Sequence, residues 1–329
     1  MKRVTIYDVA KEANVSLATV SRVINGSDVV KAPTREKVEA AINKLGYKPN
    51  AIAQGLALQK TTTIGLVVPE ASFTYIGQII NGLLDVAKIY NYNIILHTIS
   101  PGITEVHDVI DTIIKSRVDG VVFYNDKCNF SQVDALSEYN IPIVFVGNKT
   151  SAEHISSVFV DIEKAVYELC LQYIQNGKKD IAILEDRKNE YIFTQMINGA
   201  KKAFSESGLS FDTILYIPEK DRTSYKFLST YLKSHKHDLV IANRDSQAMA
   251  VINAAKENDI NVPNEMEVVC VSDSKYNSIM RPQISSFSIP AYDLGAVAMR
   301  VMTKMLQDEA LHDKEIELSY LYTPRQSTL

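Results

Sequence analysis

The chain has 329 residues, 46% of them hydrophobic, enough for two or three compact units with cores of their own. Its net charge of −4 argues weakly against a polyanion partner, yet residues 1–60 hold 10 Lys or Arg against 5 Asp or Glu while the remainder holds 25 against 34; a basic end on an acidic body directs one end only to phosphate. No apolar stretch approaches membrane-spanning length, the first residues read as a helical unit and not as a signal peptide, and Cys128, Cys170 and Cys270 are odd in number and widely spaced, which fits buried free thiols in a reducing cytoplasm better than a disulfide or zinc framework.

Ile6-Tyr7-Asp8-Val9-Ala10-Lys11-Glu12-Ala13 and Leu17-Ala18-Thr19-Val20-Ser21-Arg22-Val23-Ile24 read as two short helices joined by a tight turn at Asn14 and Val15. Ser16 is placed to cap the second helix and Asn25-Gly26 to stop it, since Gly tolerates the left-handed conformation of a helix end. Val9, Ala10, Ala13, Val15, Val20 and Val23 share one face, while Leu17, Ala18, Ser21 and Arg22 point away. An outward turn of small and hydrogen-bonding side chains ending in an Arg suits a DNA major groove. An ordinary helical hairpin at the edge of a core would read the same way, and composition does not separate the two. A third helix over 34–45, closed by Gly46, supplies Val38, Ala41, Ile42 and Leu45 at i, i+3, i+4, i+7 and completes a three-helix core.

The runs Thr-Ile-Tyr-Asp-Val-Ala from Thr5, Val-Ser-x-Ala-Thr-Val-Ser-Arg-Val-Ile-Asn-Gly from Val15 and Gly-Tyr-x-Pro-Asn-Ala from Gly46 resemble the DNA-binding head and hinge of the lactose/galactose repressor family, without a gap over about sixty residues. The resemblance implies a helix-turn-helix head over 1–47 and a hinge helix with linker over 48–60. It implies that Arg22 reads a guanine edge and that Leu17 and Ala18 meet neighbouring bases. Thr5, Tyr7, Ser16, Thr19, Ser21, Asn25 and Thr34 then line the DNA, mainly at phosphates. Asn50 caps the hinge helix, Ala53 lies along it, and Leu56 is the apolar wedge that bends DNA at the minor groove.

From Thr61 onward the period changes. Short apolar runs at 64–69, 94–96, 120–123 and 142–146 alternate with helices at 75–90, 104–117 and 133–139. A second series has helices at 163–175, 191–207, 224–233 and 247–258 and strands at 181–184, 213–217, 239–242 and 267–271. This alternation predicts two doubly wound α/β subdomains with any ligand in the crevice between them. The resemblance extends to the periplasmic-binding-protein-like core of the same repressors and so to the whole of 61–329. It implies one subdomain over about 61–160 with part of 291–322 returning to it, a second over about 161–290, three crossings, and a helix at 292–306 beside the helix at 75–90. The pair His235 and His237 has no matching ligand cluster and reads as a solvated turn. No metal or cofactor is expected. Without a phosphate loop, nucleophile elbow or His/Asp/Glu set at hydrolase spacing, neither is an enzyme.

The crevice departs from that of sugar-responsive family members. Met196 stands where they carry an Arg three residues before a Gly, here Gly199, and Ser272 stands where they carry an Asp. Losing a bidentate Arg and a carboxylate removes the directional hydrogen bonds that hold a sugar, and Asp245 alone is a poor substitute. Lys60-Thr61-Thr62-Thr63-Ile64-Gly65, Arg281-Pro282-Gln283-Ile284-Ser285-Ser286, Tyr292-Asp293-Leu294-Gly295-Ala296-Val297-Ala298-Met299-Arg300 and Arg325-Gln326-Ser327-Thr328 resemble the carbon-catabolite branch of the family. In that branch the corepressor is a protein, the phosphocarrier HPr bearing a phosphoserine. Read alone, Arg300 and Lys304 at i, i+4 are the solvated basic edge of a surface helix. The resemblance makes them the phosphate clamp, with Tyr292, Asp293, Met299 and Asp85 as the rest of the surface. The expected protein is a dimeric, cytoplasmic regulator of transcription on a pseudo-palindromic operator. A repressor released by a sugar or sugar phosphate is the alternative within the same fold, and a solute-binding protein the alternative outside it.

Overall fold

The computed structural model of the chain describes residues 4–48, 61–69, 74–99, 106–124, 133–150, 152, 154–186, 190–218 and 221–329. Cys128 and the hinge residues Asn50, Ala53 and Leu56 lie outside the described residues. Two compact units emerge, 1–62 and 63–329.

The first unit holds α1 (Ile6–Ala13), α2 (Leu17–Ile24) and α3 (Ala32–Leu45). Local chemistry sets each end. Thr5 precedes α1, and both its backbone N–H and its hydroxyl donate to Asp8 Oδ2, at 2.8 and 2.7 Å, a carboxylate placed at the positive end of the helix. Asn14 takes a left-handed φ of 53° and ends α1. The Ser16 hydroxyl accepts from Thr19 N at 3.2 Å. Gly26, with φ 71°, lets Ser27 N reach back to Arg22 O at 2.9 Å and close α2. α3 begins two residues before the expected Thr34, because Pro33 fits a first helical turn, where its missing N–H leaves no bond unmade. Val9, Val20 and Val38 are fully buried at the centre and Ala13, Val23 and Ala41 surround them.

The second unit begins with β1 (Thr63–Val68), α4 (Thr74–Ile89), β2 (Asn93–Thr98), α5 (Val106–Ser116), β3 (Gly120–Phe123), a 3-10 turn (Asp134–Tyr139), β4 (Ile143–Val146) and β5 (Ile155–Phe159). The second series follows as α6 (Ile162–Gln175), β6 (Ile181–Leu184), α7 (Glu190–Glu206), β7 (Ile214–Leu215), α8 (Asp221–Tyr231), β8 (Leu239–Ala242), α9 (Asp245–Glu257), β9 (Glu267–Cys270), α10 (Lys275–Ile279) and β10 (Ser285–Ser288). α11 (Ala291–Leu306), β11 (Glu315–Glu317) and β12 (Leu321–Thr323) end the chain. One six-stranded sheet has the order β11-β5-β4-β3-β1-β2 and the other β12-β10-β9-β8-β6-β7. Among the described residues the named strands all pair parallel except β10 with β12. The chain therefore passes between sheets after β5, after β10 and after β11. β1, β3, β4, β6 and β8 are short apolar runs buried almost throughout, as strands covered on both faces must be, and β9 differs only in opening on the buried Glu267, paired with Lys178.

Two of the recognised runs have structural work here. Arg325 donates to Ile284 O at 2.7 Å and Ser286 Oγ at 2.5 Å and pairs with Asp273 at 2.9 Å. Ser327 donates its N–H to Gln283 O at 2.8 Å and accepts from Val268 N at 3.0 Å. Both therefore tie the end of the chain to β9 and β10. The reading of His237 as part of a solvated turn is corrected: its side chain is 6% exposed, 2.7 Å from Asp180 Oδ1 and 2.9 Å from Tyr231 Oη. His235, by contrast, is exposed. Cys170 and Cys270 are free and buried, and burial pushes each thiol up to about 12, so both are inert at neutral pH.

Candidate functional site

The head presents one outward ridge. Leu17 is 38% exposed and Tyr7 70%. Thr5, Ser16, Ala18, Arg22 and Asn25 are exposed, and Thr19, Ser21 and Thr34 are half-buried. The Ser16 and Thr19 hydroxyls lie 2.8 Å apart at the amino end of α2, where helix N–H groups and dipole both favour an anion. Among the described residues Arg22 makes no side-chain hydrogen bond or ion pair, so its fork is free to leave the surface. Lys44 and Glu12, 2.7 Å apart, brace α3 against α1 behind this ridge.

In the second unit α4 and α11 are packed backbone to backbone. A Cβ on Gly82 would overlap Tyr292 O, and a Cβ on Gly295 would overlap Ile79 O. Reciprocal glycines thus set the spacing of the pair, and the spacing positions what the pair displays. The Tyr292 hydroxyl donates to Asp85 Oδ2 at 3.0 Å across the two helices. That hydrogen bond, with desolvation, raises the phenol above its ordinary value, while the Arg300 charge opposes the rise. Asp293, Arg300 and Lys304 are exposed along the same helix. Among the described residues neither Arg300 nor Lys304 has a carboxylate partner. Met299 is corrected: it is fully buried in the main core, one position round the helix from Arg300, and cannot be part of a contact surface.

The crevice end of the second sheet also differs from expectation. Met196 is fully buried in the core and so does not line a crevice. Ser272 donates to Asn243 O at 2.8 Å, and Asp245 accepts from Ser274 Oγ and from Ser246 N, each at 2.6 Å. Two charged residues here were not anticipated, Asp186 after β6 and Arg244 after β8, joined at 3.2 Å. The available signal was Arg244 itself, an Arg directly after the strand-ending Ala242-Asn243. Among the described residues no group of three His, Cys, Asp or Glu is placed to hold a metal, and no helix is long and apolar enough to cross a membrane.

Parts of both units match known protein families. Residues 5–50 match the family model for bacterial regulatory proteins of the lacI family, and residues 171–328 match that for the periplasmic binding protein-like domain. Catabolite control protein A of Priestia megaterium is 36% identical over 330 residues, covering 99% of each chain. The HTH-type transcriptional regulator pepR1 of Lactobacillus delbrueckii subsp. lactis is 36% identical over 331 residues, covering 99% of this chain and 98% of its own. The solved structure of transcription regulator CcpA of Lactococcus lactis aligns with a TM-score of 0.71 at 27% identity, over 81% of this chain and 99% of that one. The lac repressor dimer bound to operator shares the fold with a TM-score of 0.86 at 22% identity over the full length of both.

Proposed function

Because the chain belongs to the lacI family of bacterial regulatory proteins and is a DNA-binding regulator of the catabolite-control type, we propose that seryl-phosphorylated HPr docks on α11 and α4 and acts as its corepressor. The observation that carries this reading is the pair Arg300 and Lys304, exposed at i, i+4 with no carboxylate partner among the described residues, on the helix whose Tyr292 hydrogen-bonds Asp85 of α4. An unpaired surface pair of cations one helical turn apart fits a doubly charged phosphate, which takes charge-assisted hydrogen bonds that an unmodified serine cannot make. Asp293 and Asp85 add acceptors for a basic rim on the partner.

Two copies of the chain then hold a pseudo-palindromic operator, with Arg22 on a guanine, Leu17 and Ala18 on neighbouring bases, and Ser16, Thr19, Asn25 and Thr34 on phosphates. The corepressor tightens this complex only if it binds the DNA-competent arrangement better than the other, and that differential affinity is the whole of the switch.

Calorimetry with the two forms of HPr tests the proposal. The phosphorylated form should bind about tenfold to a hundredfold more tightly than the plain form, the range expected of charge-assisted hydrogen bonds. Arg300→Ala should remove most of that advantage and leave operator binding by the regulator alone unchanged. Equal binding of the two forms overturns the proposal. A sugar phosphate that alters operator affinity equally in the native protein and in Arg300→Ala would instead establish control by a small effector.

A further inference from the structure

The carboxyl ends of β6 and β8 hold charged groups that neither the DNA ridge nor the α4–α11 surface uses, at the place where open α/β sheets take their ligands. The Asp186 side chain is wholly buried and that of Arg244 is 17% exposed. Arg244 Nε donates to Asp186 Oδ2 at 3.2 Å, and Asn243 Nδ2 donates to the same oxygen at 2.7 Å. The flanking backbone is fastened into the same arrangement: the Gln247 side-chain amide donates to Glu185 O at 3.0 Å, and Ser272 Oγ donates to Asn243 O at 2.8 Å. A guanidinium is a strong binder of ligand oxygens, and here it is turned onto a carboxylate of its own lobe. A neutral polyol entering this place would have to draw the Arg244 guanidinium off a buried carboxylate, and neutral hydroxyls do not replace the charge that is removed.

We infer that the Arg244–Asp186 pair is a built-in occupant of the crevice: Arg244 is the specificity-determining residue that closes the strand ends of the second sheet to neutral sugars, and the carboxylate beneath it is a guanidinium site. The inference is independent of the corepressor, so its test needs no HPr.

Thermal melting of the full chain decides it. Glucose at millimolar concentration should leave the native protein's melting temperature unchanged. Arg244→Ala should lower that temperature by about 5 °C or more, because one member of a buried pair has been removed. Millimolar methylguanidinium should restore part of the loss by mass action in Arg244→Ala. It should restore nothing when Asp186→Asn is added, and should not stabilise the native protein. If Arg244→Ala does not fold, Arg244→Gln, closer in volume, carries the same rescue experiment. A folded variant that methylguanidinium does not rescue overturns the inference. So does a saturable stabilisation of the native protein by glucose that Arg244→Ala abolishes, since Arg244 would then be a sugar clamp.

Discussion

Gly295→Ala and Gly82→Ala are each expected to destabilise the body by about 3 kcal/mol or more, the upper end of what overpacking a close-packed contact costs. The reason is geometric. The new methyl group meets a backbone carbonyl of the facing helix, Ile79 O or Tyr292 O. Backbone cannot step aside as the end of a flexible side chain can, so α4 and α11 must separate. Separation strips contacts from the buried side chains between them, Ile76, Ile79, Leu83, Leu294 and Ala298. The same helix supplies the control. Gly77 also lies within α4, but a Cβ there meets nothing within 4 Å. Gly77→Ala should therefore stabilise by roughly 0.5–1 kcal/mol, the ordinary gain of Ala over Gly in a helix interior. Urea denaturation of the three variants measures all of this. If Gly295→Ala is no less stable than Gly77→Ala, the backbone contact does not set the helix spacing. A variant that survives should bind phosphorylated HPr less well although no proposed contact residue has changed, because Asp85 and Arg300 stand on different helices.

What could be read from the sequence followed the range of the interactions involved. The head was legible almost to the residue because its boundaries are set within three or four positions: Thr5 with Asp8, Ser16 with Thr19, and Gly26 after Asn25. The parallel strands were legible because each is a short apolar run. β5 and β10 were not, since Ser156 and Ser157 interrupt the first and Ser285 and Ser286 open the second, yet all four are fully buried. β11 and β12, three residues each, carry too few positions to show any period, and their partners lie far away in the chain. The misread side chains share this cause. His237 is buried by Asp180, 57 residues distant. Met299 and Met196 were placed by resemblance at surfaces, whereas the stripe each shares with its helix neighbours faces the core. Arg244 needed Asp186, 58 residues away, before its role could be seen. Local chemistry is written in adjacent letters; pairings between strand ends are not.

That division also ranks the DNA-contact residues by what their loss should do. Arg22→Ala is expected to cost about 1–3 kcal/mol of base discrimination per half-site, hence about 2–6 kcal/mol over a two-fold operator, and to relax selection at the base it reads. The loss is large because no other exposed side chain of α2 can make two parallel hydrogen bonds to a guanine edge: Leu17 and Ala18 offer apolar contact and Ser21 a single hydroxyl. The fold should survive, since the Arg22 side chain has no partner among the described residues and stands outside the core of Val9, Val20 and Val38. Ser16→Ala should behave oppositely. It removes the acceptor for Thr19 N and should lower the stability of the head by about 1 kcal/mol. With its proposed phosphate contact removed as well, it should weaken binding to every sequence alike. Selection from a random operator pool, run beside thermal melts of the head, separates these outcomes. Were Arg22→Ala to recover the same operator with the same preference, the guanine contact would have to be given up and base reading sought elsewhere along the ridge.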